Sequence, residues 1–76
     1  MENRIKDVMA AVFEISKKKI SDDSSPDTIK SWDSLKHMNL VVALEEEFKI
    51  QLTDEEIVEM INYQLIKLII KEKTNK

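Results

Sequence analysis

Residues 31–48 read SWDSLKHMNLVVALEEEF. Placed on a helical wheel at about a hundred degrees per residue, Leu40, Val41, Leu44 and Phe48 fall on one side, with Leu35, Met38 and Val42 nearly opposite. The spacing predicts a helix that starts near Asp33 or Ser34, where short oxygen-bearing side chains can satisfy orphan N–H groups, and runs to about Phe48. A helix in a small protein has one core to face, so the second apolar stripe needs an explanation. It is either a surface that a partner reads or a third contact layer under a neighbouring loop or helix, and the pattern alone leaves both open. Glu45 and Glu46 continue the stripe, making it apolar near Ser34 and acidic farther along. That arrangement suits a partner with an apolar recess flanked by arginine or lysine, because apolar contact supplies affinity and charge supplies steering.

Outward from this helix, Ile5, Val8, Met9, Val12 and Ile15 recur at three- and four-residue spacing, with Phe13 widening the stripe, and predict a first helix over 3–18. Residues 21–27, SDDSSPD, collect side chains that bond their own backbone and read as a long loop, pinned to the core by Ile20 and Ile29. Thr53-Asp54-Glu55-Glu56 is a capping box and marks a further helix start. From Asp54 to about Lys73 periodicity permits one helix or two. Asn62, a good N-cap residue, is the place for a break that would leave Ile57, Met60 and Ile61 on a short third helix and residues 65–70 on a fourth.

Composition narrows the function. The 76 residues, 42% apolar and 36% charged, suit a single small globular domain over 1–76, with a tail of about 72–76 that frays. No glycine and one proline leave hairpin turns little chemistry, so the fold is expected to be all-α. No apolar run has the length of a membrane span, and MENRIKDVM lacks the layout of a secretion signal, so the chain reads as cytoplasmic. A net charge of −3 disfavours nucleic acid as a partner. Without cysteine the chain has no disulfide, thiolate metal site or nucleophilic thiol of its own, so any thiol chemistry must be brought in.

Catalytic and metal readings fare poorly. Counted as a calcium loop from Asp23, the acidic segment offers Ser25 and Asp27 but puts Thr28 where glycine is needed and Ser34 where a bidentate glutamate is needed, so no metal site is expected. His37 has neither cysteine nor a second histidine to support it as a ligand. Ser34 and His37 lie three residues apart, but a hydrolytic triad needs more than spacing. A partly buried histidine packing the helix start fits better, and no catalytic residue is expected. Ser34 taken alone reads as a cap or first-turn residue.

Asp33-Ser34-Leu35, then Met38, then LVVALEEEF over 40–48 and LTDEE over 52–56, resembles an acyl carrier protein. The likeness covers most of the chain, and D-S-L combined with A-L-E-E-E-F is a specific signal where D-S-L alone is weak. The resemblance implies a small four-helix bundle with a long loop between helices one and two and a short third helix. It implies a non-enzymatic, monomeric carrier whose Ser34, flanked by Asp33 and Leu35, receives 4'-phosphopantetheine from coenzyme A through a phosphopantetheinyl transferase. The arm would hold acyl or aminoacyl cargo as a thioester, loaded by a ligase or acyltransferase and passed to enzymes of fatty-acid, polyketide or nonribosomal biosynthesis. Leu35, Met38, Val42, Glu45 and Glu46 would be the surface those partners read. The alternative is an unmodified interaction module of the same fold.

Lys36 and Asn39 stand where fatty-acid carriers often have acidic residues, and Ser31-Trp32 where they commonly have glycine and alanine. Trp-Asp-Ser-Leu is more similar to stand-alone carriers of specialised pathways.

Overall fold

A computed structural model of the chain describes residues 2–74. Its elements are α1 (Glu2–Phe13), a 3-10 turn (Lys17–Lys19), α2 (Ser34–Phe48), α3 (Asp54–Glu59) and α4 (Tyr63–Thr74), with no strand among the described residues. The fold is therefore all-α, with a long loop between α1 and α2 and a short α3. Residues 75 and 76 of the tail expected to fray lie outside the described residues, and α4 continues through Thr74.

One core gathers side chains from every part of the fold: Ile5, Met9 and Phe13 from α1, Leu40, Val41 and Leu44 from α2, Met60 after α3, and Tyr63, Ile66, Ile69 and Ile70 from α4. Ile20 and Ile29 pin the long loop to it, as the sequence predicts, and Trp32 joins them. Phe48, placed on the core face by the wheel, is only half-buried and lies under the Arg4 guanidinium, 4.6 Å from the ring centroid. Arg4 Nε also donates to Glu47 Oε2 at 3.0 Å, which ties the start of α1 to the end of α2.

The first helix is shorter than its periodicity predicts. It ends at Phe13 because Glu14 turns to a left-handed φ of 57° and Ile15 N–H reaches back to Ala10 C=O at 3.1 Å. Ser16 then caps the 3-10 turn by accepting from Lys18 N–H. Lys49 ends α2 in the same way, with φ 56° and Ile50 N–H bonded to Glu45 C=O at 3.1 Å. Both are Schellman-type ends in which a residue with a Cβ occupies the position glycine normally takes. Relieving that strain with Lys49→Gly should raise stability by about 0.5–1 kcal/mol, part of the gain being offset by the freer unfolded chain. The urea midpoint reads the change.

The break at Asn62 is present: its Oδ1 accepts from Leu65 N–H at 2.8 Å, and the loop carbonyl of Ser24 accepts Tyr63 N–H at 2.9 Å. The third helix stops at Glu59, with Met60 as its C-cap, so Ile61 lies outside the helix to which the sequence assigns it. The capping box forms in both directions, Thr53 N–H donating to Glu56 Oε1 at 2.9 Å and Glu56 N–H to Thr53 Oγ1 at 3.1 Å.

The Thr53 backbone N–H, and secondly Lys73, hold the Glu56 carboxyl below its ordinary value. Lys67 does the same for Asp22, and Lys36 for Glu14. Each group binds its proton less readily in the folded chain than in the unfolded one. Its contribution is therefore complete above the ordinary carboxylate range and is lost as pH falls through the depressed value. Acidification below about pH 4 should weaken the start of α3, detectable as lost amide protection at Glu56 and Ile57.

Candidate functional site

The head of α2 is fixed from both sides. Ser31 Oγ donates to Phe13 C=O at 2.7 Å, and Trp32 N–H to Ile29 C=O at 3.0 Å. The Trp32 ring is buried and stacks on Phe13 with centroids 4.9 Å apart. Asp33 then enters α2 as the N-cap in extended conformation, its carboxylate accepting from Lys36 N–H at 2.8 Å while its carbonyl accepts from His37 N–H at 2.8 Å. Ser34 is the first helical residue and is exposed. Of the two capping candidates in the sequence, Asp33 makes the cap, and the Ser34 hydroxyl is not needed for it.

One turn on, His37 is half-buried and bonded through both ring nitrogens. Trp32 Nε1–H meets Nδ1 at 3.0 Å, and Nε2 lies 2.9 Å from Ile57 C=O. The histidine packs the helix start as expected and also ties α2 to α3. Between these helices and beside Ser34 lies a groove of about 510 Å³, walled by Met38, His37, Val58 and Ile61. Asp33 is the charged residue on its lining.

Leu35, Met38 and Val42 are 70%, 49% and 51% exposed. Among the described residues no loop or helix covers them, so in this structure the stripe is not a contact layer. Val58 (75% exposed) and Ile61 (58%) of the α3 region lie across the groove from Met38 and extend the apolar surface. Sequence reading missed these two. The available signal was that Val58 and Ile61 follow Ile57 and Met60 by one residue each, which turns them off the buried face.

The two acidic positions differ. Glu46 is exposed, whereas Glu45 is half-buried and its Oε2 accepts from Leu52 N–H at 2.9 Å, securing the connection into α3. Lys36 Nζ reaches Glu14 Oε2 at 2.9 Å, so its charge is partnered by the end of α1. Among the described residues no cluster of metal-ligating side chains occurs, and no helix is long and apolar enough to cross a membrane.

No protein-family model matches the chain. It is 36% identical over 72 residues to the acyl carrier protein of Buchnera aphidicola subsp. Baizongia pistaciae, spanning 95% of this chain and 92% of the relative. The acyl carrier protein of Buchnera aphidicola subsp. Acyrthosiphon pisum is 42% identical over 56 residues, covering 74% of this chain and 70% of the relative. The fold is similar to the solution NMR structure of holo acyl carrier protein from Geobacter metallireducens, with TM-score 0.85 and 28% identity over 95% of this chain and 83% of that one. A four-helix bundle matched over nearly its whole length to such relatives is a carrier protein and not an enzyme. The chain belongs to the acyl carrier protein family.

Proposed function

We propose that Ser34 carries 4'-phosphopantetheine, and that the arm holds an acyl or aminoacyl group as a thioester for transfer between partner enzymes. The observation that carries this reading is the exposed Ser34 at the first position of α2, with the cap supplied by Asp33 instead. A hydroxyl free of the cap can be esterified without dismantling the helix start. A phosphodiester there would lie at the positive end of the α2 dipole, where negative charge is favoured. The prosthetic group supplies the reactive thiol, which suits a chain with no cysteine. Asp33 and Leu35 flank the attachment point.

In this reading a phosphopantetheinyl transferase, a cargo-loading ligase or acyltransferase, and downstream biosynthetic enzymes dock on Leu35, Met38 and Val42. Val58 and Ile61 extend the apolar contact, Glu46 presents charge to a basic partner, and the remaining carboxylate oxygen of Glu45 adds to it. The chain works as one carrier domain over 1–76, monomeric and cytoplasmic, and Trp-Asp-Ser-Leu favours a specialised pathway.

The absence of cysteine gives a direct test. Titration of the repurified chain with a thiol reagent should read no thiol before, and one per chain after, incubation with coenzyme A, magnesium and a broad-specificity transferase and removal of free coenzyme A. A folded chain that still reads none with several transferases would contradict the reading. Met38→Glu and Val42→Asp should each lower transferase kcat/KM by about tenfold or more, since an apolar contact is replaced by a desolvated charge. Helicity by circular dichroism should be unchanged.

A further inference from the structure

We propose that Trp32 and His37 form a protonation-sensitive clasp on the segment before Ser34, closed when the His37 ring is neutral and open when it is charged. The hydrogen-bond inventory leaves one closed form. An indole N–H can only donate, so the Nδ1 it meets at 3.0 Å must carry no proton. A backbone carbonyl can only accept, so the Nε2 that lies 2.9 Å from Ile57 C=O must carry one. The neutral Nε2–H tautomer satisfies both.

Adding a proton gives Nδ1 its own N–H, aimed at the indole N–H. The bond to Ile57 survives this change and the bond to Trp32 does not. Trp32 is only 4% exposed, so its indole nitrogen has no ready access to water in the closed arrangement. The near-coplanar rings, joined edge to edge by this bond with centroids 6.2 Å apart and planes 16° from parallel, must then separate or turn. Because Trp32 lies two residues before Ser34, the loop segment presenting the serine loosens while α3 stays attached.

The surroundings offer this proton few other roles. On α2, Asp33 is committed to Lys36 N–H, and Lys36 Nζ to Glu14 at the end of α1. From α1 the Phe13 ring packs on Trp32. On α3, Glu56 is held by Thr53 and Lys73, and Asp54, Glu55 and Glu59 are exposed. From the long loop, Pro26 lines the groove, and Asp27 and Lys30 are exposed. In the neutral form no buried side-chain polar atom among the described residues lacks a partner.

The clasp stands whether or not Ser34 is modified, so the unmodified chain suffices for the test. With one tryptophan and one histidine, NMR follows both rings from about pH 8 to 5 without ambiguity. As His37 charges, the Trp32 indole N–H resonance should move, and its protection from exchange relative to free tryptophan should fall by about tenfold. Amide protection at Trp32 and Asp33, whose N–H groups donate to Ile29 C=O and Ser31 C=O, should fall with it. Trp32→Phe keeps an aromatic ring beside Phe13 but removes the opposing donor, so the pH step at the backbone amides of positions 32 and 33 should vanish. His37→Gln retains a donor and an acceptor without titrating, and its indole N–H should stay protected throughout. An indole signal that ignores the charging of His37 would overturn the clasp, as would the same pH step persisting in both variants. If either variant fails to fold, the wild-type indole titration decides.

Discussion

Replacing Ser34 with alanine should abolish attachment of the thiol arm while leaving the bundle almost as stable as before. The loss is expected to be complete because the acceptor hydroxyl is gone. The small stability effect, within about 0.5 kcal/mol, follows because alanine is a good helix former at an exposed position and Asp33 retains the cap bond to Lys36 N–H. Transferase loading followed by thiol titration reads the first effect, and a urea melt reads the second. Thiol incorporation into the Ser34→Ala protein would mean that another residue accepts the arm. A large loss of stability would mean that Ser34 helps to build the helix start.

Leu44→Ala should have the opposite profile. Leu44 has no exposed surface and belongs to the same core as Met9, Leu40 and Ile66. Truncating such a leucine removes its transfer free energy and leaves a cavity, at a cost of about 2–5 kcal/mol. A chain of this size has about 4–11 kcal/mol in total, so the substitution should shift the urea midpoint by a large fraction of its value. Transferase loading of the residual folded protein should be little changed, since Leu44 faces away from Leu35, Met38 and Val42. A cost below about 1 kcal/mol would show that α2 does not bury the face described here. Set beside Val42→Asp, which should slow loading and spare stability, the pair separates the two faces of one helix.

Those two faces were legible in the sequence because α2 is long enough for its apolar spacing to define both. The capping box at Thr53 and the break at Asn62 were legible for a different reason: each is a local side-chain-to-backbone bond that residue type and spacing specify. The end of α1 was not legible. Glu14 takes a left-handed backbone conformation without being glycine, so no residue type announces that stop. Nor was the α3 edge of the site visible. A helix of six residues is too short to show a periodicity, and Val58 and Ile61 are recognised as surface only once the position of Met38 across the groove is known. The bonds from Glu45 to Leu52 N–H and from His37 to Ile57 C=O join segments seven and twenty residues apart, and such pairings follow from packing rather than local pattern.

The same packing accounts for how the candidate site is held. Phe13 supports Trp32, Trp32 flanks Asp33, and Asp33 sets the first turn from which Ser34 projects, so the serine is presented by the hydrogen-bonded end of the long loop. From it the exposed apolar surface of Leu35, Met38 and Val42 runs along α2. The carrier role proposed for Ser34 needs both: an attachment point and a face that different enzymes can meet in turn.

The most direct measurement is the mass of the fragment containing residues 31–36 after the chain is incubated with coenzyme A, magnesium and a transferase, then digested and sequenced by tandem mass spectrometry. One phosphopantetheine group on Ser34 is the result expected. A group on any other residue, or none on a chain that is folded and accessible to several transferases, would contradict the assignment and leave an unmodified binding module with the carrier fold.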